Sequence, residues 1–209
     1  MHKRLFLFAL LVCLAAPLAA QTPAGWRMRV DRSTSAEDPD DRPDLAVVTR
    51  GKGFQVTGGP AGSFWNPAQT ATGDYTVKAN FTLLKPSDHT NYYGLIFGGS
   101  ELDGAKQTYN YFLIAQNGTY IVRNRAGENV SNVQGRTPHA AIRQPDASGR
   151  STNAVEVRVA GNTISYVVNG TVVHTTPKSG VTAKTDGIVG VRVNHALDVQ
   201  VEGFEVHKP

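Results

Sequence analysis

From Leu45 to Val206 apolar and polar positions alternate with a period of two, broken at short intervals by turn residues. The pattern is plainest in Asn153–His174, where apolar residues fall at 155, 157 and 159 and again at 164, 166 and 168. Each run can bury one face as a strand. Gly161-Asn162 and Asn169-Gly170 separate the runs, and such pairs accept positive φ, so two hairpins are predicted. Three consecutive antiparallel strands make a sheet with one apolar side, which needs a second layer against it. The longest alternation puts Tyr75, Val77, Ala79, Phe81 and Leu83 on one face and Thr76, Lys78, Asn80 and Thr82 on the other, ending in the turn residues Lys85–Asp88. Further strands are predicted over 26–30, 46–49, 54–56, 63–66 up to Pro67, 92–97 up to Gly98-Gly99, 109–115, 120–123, 188–193 and 197–206. Residues 135–149 read as irregular. Apolar residues nowhere recur at helical spacing over ten residues. About a dozen strands with short turns predict an all-β, two-sheet antiparallel β-sandwich.

The remainder of the chain is an address and a lead. Residues 1–20 have a basic start (His2, Lys3, Arg4), an apolar core from Leu5 to Leu14 and the small end Ala19-Ala20. This is the pattern of an export signal cut near Ala20, which places the mature chain in the periplasm or outside the cell. It is too short, and too closely followed by polar residues, for a membrane span. Val12 before Cys13 argues against a lipid anchor. Cleavage removes Lys3 and Arg4 and no acidic residue, so the net charge falls from +4 to +2, and no basic cluster suggests nucleic acid. It also removes the only cysteine, so the core alone must hold the domain. Residues 21–44 form a lead strand and an acidic loop, and 45–209 the sandwich. The loop carries Asp31, Glu37, Asp38, Asp40, Asp41 and Asp44 with Pro39 and Pro43, which bars a central strand or a helix. A solvated loop is the expectation. Asp38, Asp40 and Asp41 are the candidate ligands for a structural calcium, although the spacing of an EF-hand is missing.

In order along the chain stand Gly73-Asp-Tyr75-Thr-Val77, Tyr92-Tyr93-Gly94-Leu-Ile-Phe97, Asn117-Gly118-Thr-Tyr120, Asn153-Ala-Val155-Glu-Val157, Asn169-Gly170-Thr-Val172-Val173 and Gly187-Ile-Val-Gly190-Val. This ordered set resembles the concanavalin A-like jelly rolls over roughly residues 45–207, in particular laminin-G-like and bacterial 3-keto-disaccharide hydrolase domains. The resemblance implies a two-sheet jelly roll with a concave face that takes saccharide. The hydrolase relatives carry Gln-x-His near the Gly-x-x-Gly strand, where this chain reads Arg192, Val193, Asn194 and then His195. The Glu-x-Asp-x-x-Glu strand of β-glucan-cleaving relatives does not occur.

Glycoside hydrolysis needs paired carboxylates. Glu156, His174 and His195 are the candidate acids and bases. Glu156 points away from the face that Val155 and Val157 bury, and His195 follows Asn194 in a turn. The histidines show no metal-ligand spacing, and nucleophile elbows and phosphate loops do not occur. The Asn-x-Ser/Thr sites at 80, 117, 129 and 169 carry no assigned glycan, two of them being hairpin turns. Aromatic residues crowd the middle of the chain. Trp65, Tyr92, Tyr93, Tyr109 and Tyr111 are the candidate stacking platforms for sugar rings, with Arg123 and Asn194 as hydrogen-bonding partners. Tyr92 and Tyr93, being consecutive, must face opposite sides. The sequence thus predicts an exported, lectin-like, non-catalytic saccharide-binding module without a required cofactor. A hydrolase of the 3-keto-disaccharide type and an envelope structural or protein-interaction domain are the alternatives.

Overall fold

The computed structural model describes residues 22–33, 35 and 38–208. The expected export signal, Cys13 and Glu37 lie outside them. In chain order the strands are β1 (Arg27–Asp31), β2 (Ala46–Arg50), β3 (Gly53–Thr57), β4 (Ala61–Ala71), β5 (Tyr75–Lys85), β6 (Tyr92–Ser100) and β7 (Thr108–Ala115). There follow β8 (Thr119–Ala126), β9 (Asn129–Pro138), β10 (Ser151–Ala160), β11 (Thr163–Val168), β12 (Thr171–Pro177), β13 (Gly187–Val193) and β14 (Asp198–His207). They form two seven-stranded sheets in the orders β1-β4-β13-β6-β7-β8-β9 and β12-β11-β10-β5-β14-β3-β2. The all-β sandwich expected from the alternation is therefore present.

The three-stranded reading of 153–174 holds strand by strand, with β10, β11 and β12 as antiparallel neighbours. The turn between β11 and β12 has Asn169 at φ 50° and Gly170 at φ 80°, the left-handed pair that matches the twist of a two-residue hairpin. On β5 the predicted odd-numbered face is the buried one: Val77, Phe81 and Leu83 have no exposure and pack against β10 and β14. Each large apolar side chain so buried contributes about 1.5–3 kcal/mol. Between the sheets, Phe112 meets Tyr166 at 5.2 Å and Tyr120 at 6.0 Å between ring centres.

Four local expectations need correction. β4 runs through Pro67 because its pairing with β13 shifts register there, where the missing N–H leaves no ladder bond broken. β6 continues through Gly98-Gly99 to Ser100. β9 lies partly in the stretch read as irregular; it is a mostly exposed sheet edge, so its residues have little reason to alternate in polarity. Among its described residues the acidic loop contains a 3-10 turn, Pro39–Asp41, where Asp38 accepts a hydrogen bond from the Asp40 N–H. It is also less solvated than expected, since Asp41 is buried and accepts from the Ser33 N–H at 2.7 Å.

Candidate functional site

The central strands of the first sheet, β6 and β7, are buried on both faces. On β7, Phe112 and Ile114 point between the sheets, while Tyr109, Tyr111, Leu113 and Ala115 belong to a second apolar cluster with Trp65, Tyr92, Ile96, Leu102 and Ile121. This second cluster covers the outer face. The alternation places Arg29 and Asp31 (β1), Ser63 (β4), Arg192 (β13), and Arg123 and Arg125 (β8) on that same face. Gly94, paired with Arg192 across the ladder, adds no side chain there; a Cβ would lie 2.3 Å from the Phe112 carbonyl oxygen.

Asp31 is the hub. Its Oδ2 accepts from Arg192 Nη1 at 2.6 Å and Arg125 Nη1 at 3.3 Å, and its Oδ1 accepts from Arg29 Nε at 3.0 Å. β1 and β8 stand five strand spacings apart in the sheet. On a flat sheet that separation would be about 24 Å, beyond the reach of an Asp and an Arg side chain. The sheet therefore curls toward its outer face, so that this face is concave and is bridged by the cluster. Arg192 also donates to Ser63 Oγ, to the Tyr109 hydroxyl and, through Nε, to Asn194 Oδ1, and its guanidinium lies 5.9 Å from the Tyr111 ring centre. Gln107, with its amide oxygen turned inward, accepts from Arg29 and Arg125 at 3.2 Å. Burial alone would raise the Asp31 carboxyl, but the guanidinium groups of Arg192, Arg125 and Arg29 outweigh it and hold Asp31 below the usual carboxylate range. Burial pushes the Tyr111 hydroxyl up, partly offset by Arg192 and Arg123, so it remains a neutral donor.

The predicted residues divide between surfaces. Tyr92, Tyr109, Tyr111, Arg123 and Asn194 come together on or beside the concave face. Tyr93 does not: it has no exposure and packs on Phe81 between the sheets, so it is a core residue. Trp65 is on the concave face but only 1% exposed, and Tyr92 and Tyr111 are 6% exposed. Their ring faces are covered by Arg136, which lies over Tyr92, and Arg192, which lies over Tyr111. The expected open stacking platforms are thus replaced by guanidinium groups, because on this curled face the long arginine side chains close over the rings. Arg123, opposite Tyr111, is half-buried, and its Nε has no hydrogen-bond partner.

The catalytic candidates are not assembled. Glu156 lies on the outer face of the second sheet, paired with Arg158 at 2.7 Å, beside a 250 Å³ hollow shared with Lys78 and Asn80. His174 stacks 5.7 Å from Tyr166 at the sandwich edge, where burial lowers its pKa. His195 faces Asp41 at 3.8 Å in the loop region. The calcium candidates also diverge: Asp38 caps the 3-10 turn, Asp40 pairs with His89 at 3.1 Å, and Asp41 holds Ser33. Among the described residues no three acidic or histidine side chains gather at metal-binding spacing. Sequence reasoning missed Arg29, Asp31, Gln107, Arg125 and Arg136 as site residues. Period-two placement would put Arg29 beside Asp31 and Arg123 beside Arg125 on one face.

No protein-family model matches the chain, and no curated protein matches it by sequence. Solved structures do match in shape. The carbohydrate-binding module CBM66 from Bacillus subtilis superposes with a TM-score of 0.64 at 11% identity, over 88% of this chain and 96% of that one. The Bacillus licheniformis β-glucanase gives 0.56 at 11% identity, over 90% and 94%. The carbohydrate recognition domain of Emp46p in its potassium-bound form gives 0.54 at 14%, over 88% of each. At such identities the likeness establishes the fold alone, a two-sheet jelly-roll β-sandwich.

Proposed function

We propose that the chain is an exported saccharide-binding β-sandwich without catalytic activity, holding its ligand along the concave face of the first sheet. The observation that carries this reading is the array of donors on that face: Arg29, Arg123, Arg125 and Arg136 with the amide of Asn194. Guanidinium N–H groups are donors only and suit sugar oxygens, while the amide both donates and accepts. Two of the structural neighbours are a carbohydrate-binding module and a carbohydrate recognition domain, which supports the same reading. The β-glucanase among them raises the enzyme alternative. Against it, Asp31 is the only strand-borne carboxylate on the concave face among the described residues, and glycosidases need two. Three guanidinium groups saturate its oxygens and keep it ionised, so it has no proton to give. Glu156, His174 and His195 lie on three other surfaces.

Binding of the folded protein to an array of plant, bacterial and host glycans is the test. Retention of at least one saccharide class, without release of reducing sugar, is the expected result. No retention by a folded protein would overturn the reading in favour of an envelope structural or protein-interaction role. Product release would overturn the non-catalytic part.

A further inference from the structure

The charges on the concave face do not balance. Arg29, Arg123, Arg125 and Arg192 lie around Asp31 and Tyr111, and Asp31 is already shared by three of them. Arg192 is buried, and the Asp31 and Arg125 side chains are only 11% and 18% exposed. Charges so withdrawn from water need partners, because the solvent no longer compensates them. Arg123 is in no ion pair among the described residues: its guanidinium lies against the neutral Tyr111 hydroxyl, and its Nε is buried without an acceptor. A neutral hydroxyl reaching the half-buried Arg123 guanidinium would leave the excess charge in place. An oxyanion would compensate that charge, since guanidinium and carboxylate or sulfate groups match in shape as well as sign.

We infer that the saccharide held on this face carries an oxyanion, a carboxylate or a sulfate ester, and that Arg123 is its principal contact. This rests on the saccharide reading above and narrows it to acidic glycans. The covered rings support the same narrowing, because with Trp65, Tyr92 and Tyr111 closed over, sugar stacking contributes little and charge-assisted hydrogen bonds decide affinity.

The experiment compares binding of polygalacturonate, its carboxyl-reduced neutral counterpart, dextran sulfate, dextran and polyacrylate by calorimetry, at low and at about 0.5 M salt. Acidic glycans should bind at least about tenfold more tightly than their neutral counterparts and should weaken with salt. The polygalacturonate and dextran sulfate arms separate carboxylate from sulfate. Arg123→Gln should lose about tenfold for the acidic glycan with its melting curve kept, whereas Lys78→Ala, which removes the same charge from the other sheet, should bind normally. Equal affinity for neutral and acidic glycans would overturn the inference and leave the saccharide reading standing. Equal binding of polyacrylate would overturn the saccharide reading. Equal losses in the Arg123 and Lys78 variants would overturn the placement of the site, and no binding in any arm would overturn both readings.

Discussion

The two outer faces of the sandwich obey the same alternation and end in opposite states. On the second sheet, β5 presents Lys78, Asn80 and Thr82, β10 presents Thr152 and Glu156, and β14 presents Gln200 and Glu205, all solvated to some degree. The Lys78–Glu205 pair, at 2.8 Å, has side chains 49% and 57% exposed. On the first sheet, eight of the nine residues of β6 and seven of the eight of β7 are buried, so both of its faces read as interior. The cause is curvature. The second sheet leaves water in contact with its charges, whereas the first folds its arginines inward over Tyr92, Tyr109 and Tyr111. Charge on the second face is worth little, and charge on the first decides both stability and ligand choice.

Asp31→Asn should break the contrast most strongly. It leaves Arg192 buried without its carboxylate, and unfolding in urea should show a loss of about 3–5 kcal/mol. A loss no greater than that of an exposed pair would mean that the cluster is solvated after all. The pH dependence follows from the same residue. The folded Asp31 carboxyl lies below its ordinary 3.8, so its stabilisation is complete above that value and is lost as pH falls from 3.8 through the folded pKa. The urea midpoint of the native protein should drop in that acid range, and Asp31→Asn should flatten this component.

Glu156→Gln on the opposite face should cost less than about 1 kcal/mol, because its pair with Arg158 is half-solvated. The smallest effect is expected at His174. Burial lowers its pKa from 6.5, so the fold favours the neutral ring, and stability declines as pH falls below 6.5 toward the folded value. His174→Gln should remove that shallow slope, and an unchanged slope would place its origin elsewhere.

Legibility followed burial on one side. β5, β10 and β11 could be read because each has one dry face and one wet face, so the sequence records the difference. β9 could not, since an exposed edge strand buries too little to impose a pattern. β6 and β7 read as strands, but with both faces apolar the sequence does not tell which is the core, so it offers Tyr93 as readily as Tyr92 for ligand contact. Asp31 reads as part of a solvated loop because the residues that follow it are polar. Its real neighbours are Arg125 and Arg192, 94 and 161 residues away.

The two layers, the hairpins at Gly161-Asn162 and Asn169-Gly170, and the inward face of β5 and β10 are written in the order of the residues, because they depend on local turn chemistry and on a fixed period of two. That the first sheet curls far enough for β1 to reach β8 emerges in three dimensions, and with it the burial of Arg192, the saturation of Asp31 and the lack of a carboxylate beside Arg123. Curvature accumulates over many strand pairings, and no local stretch of sequence carries its sum.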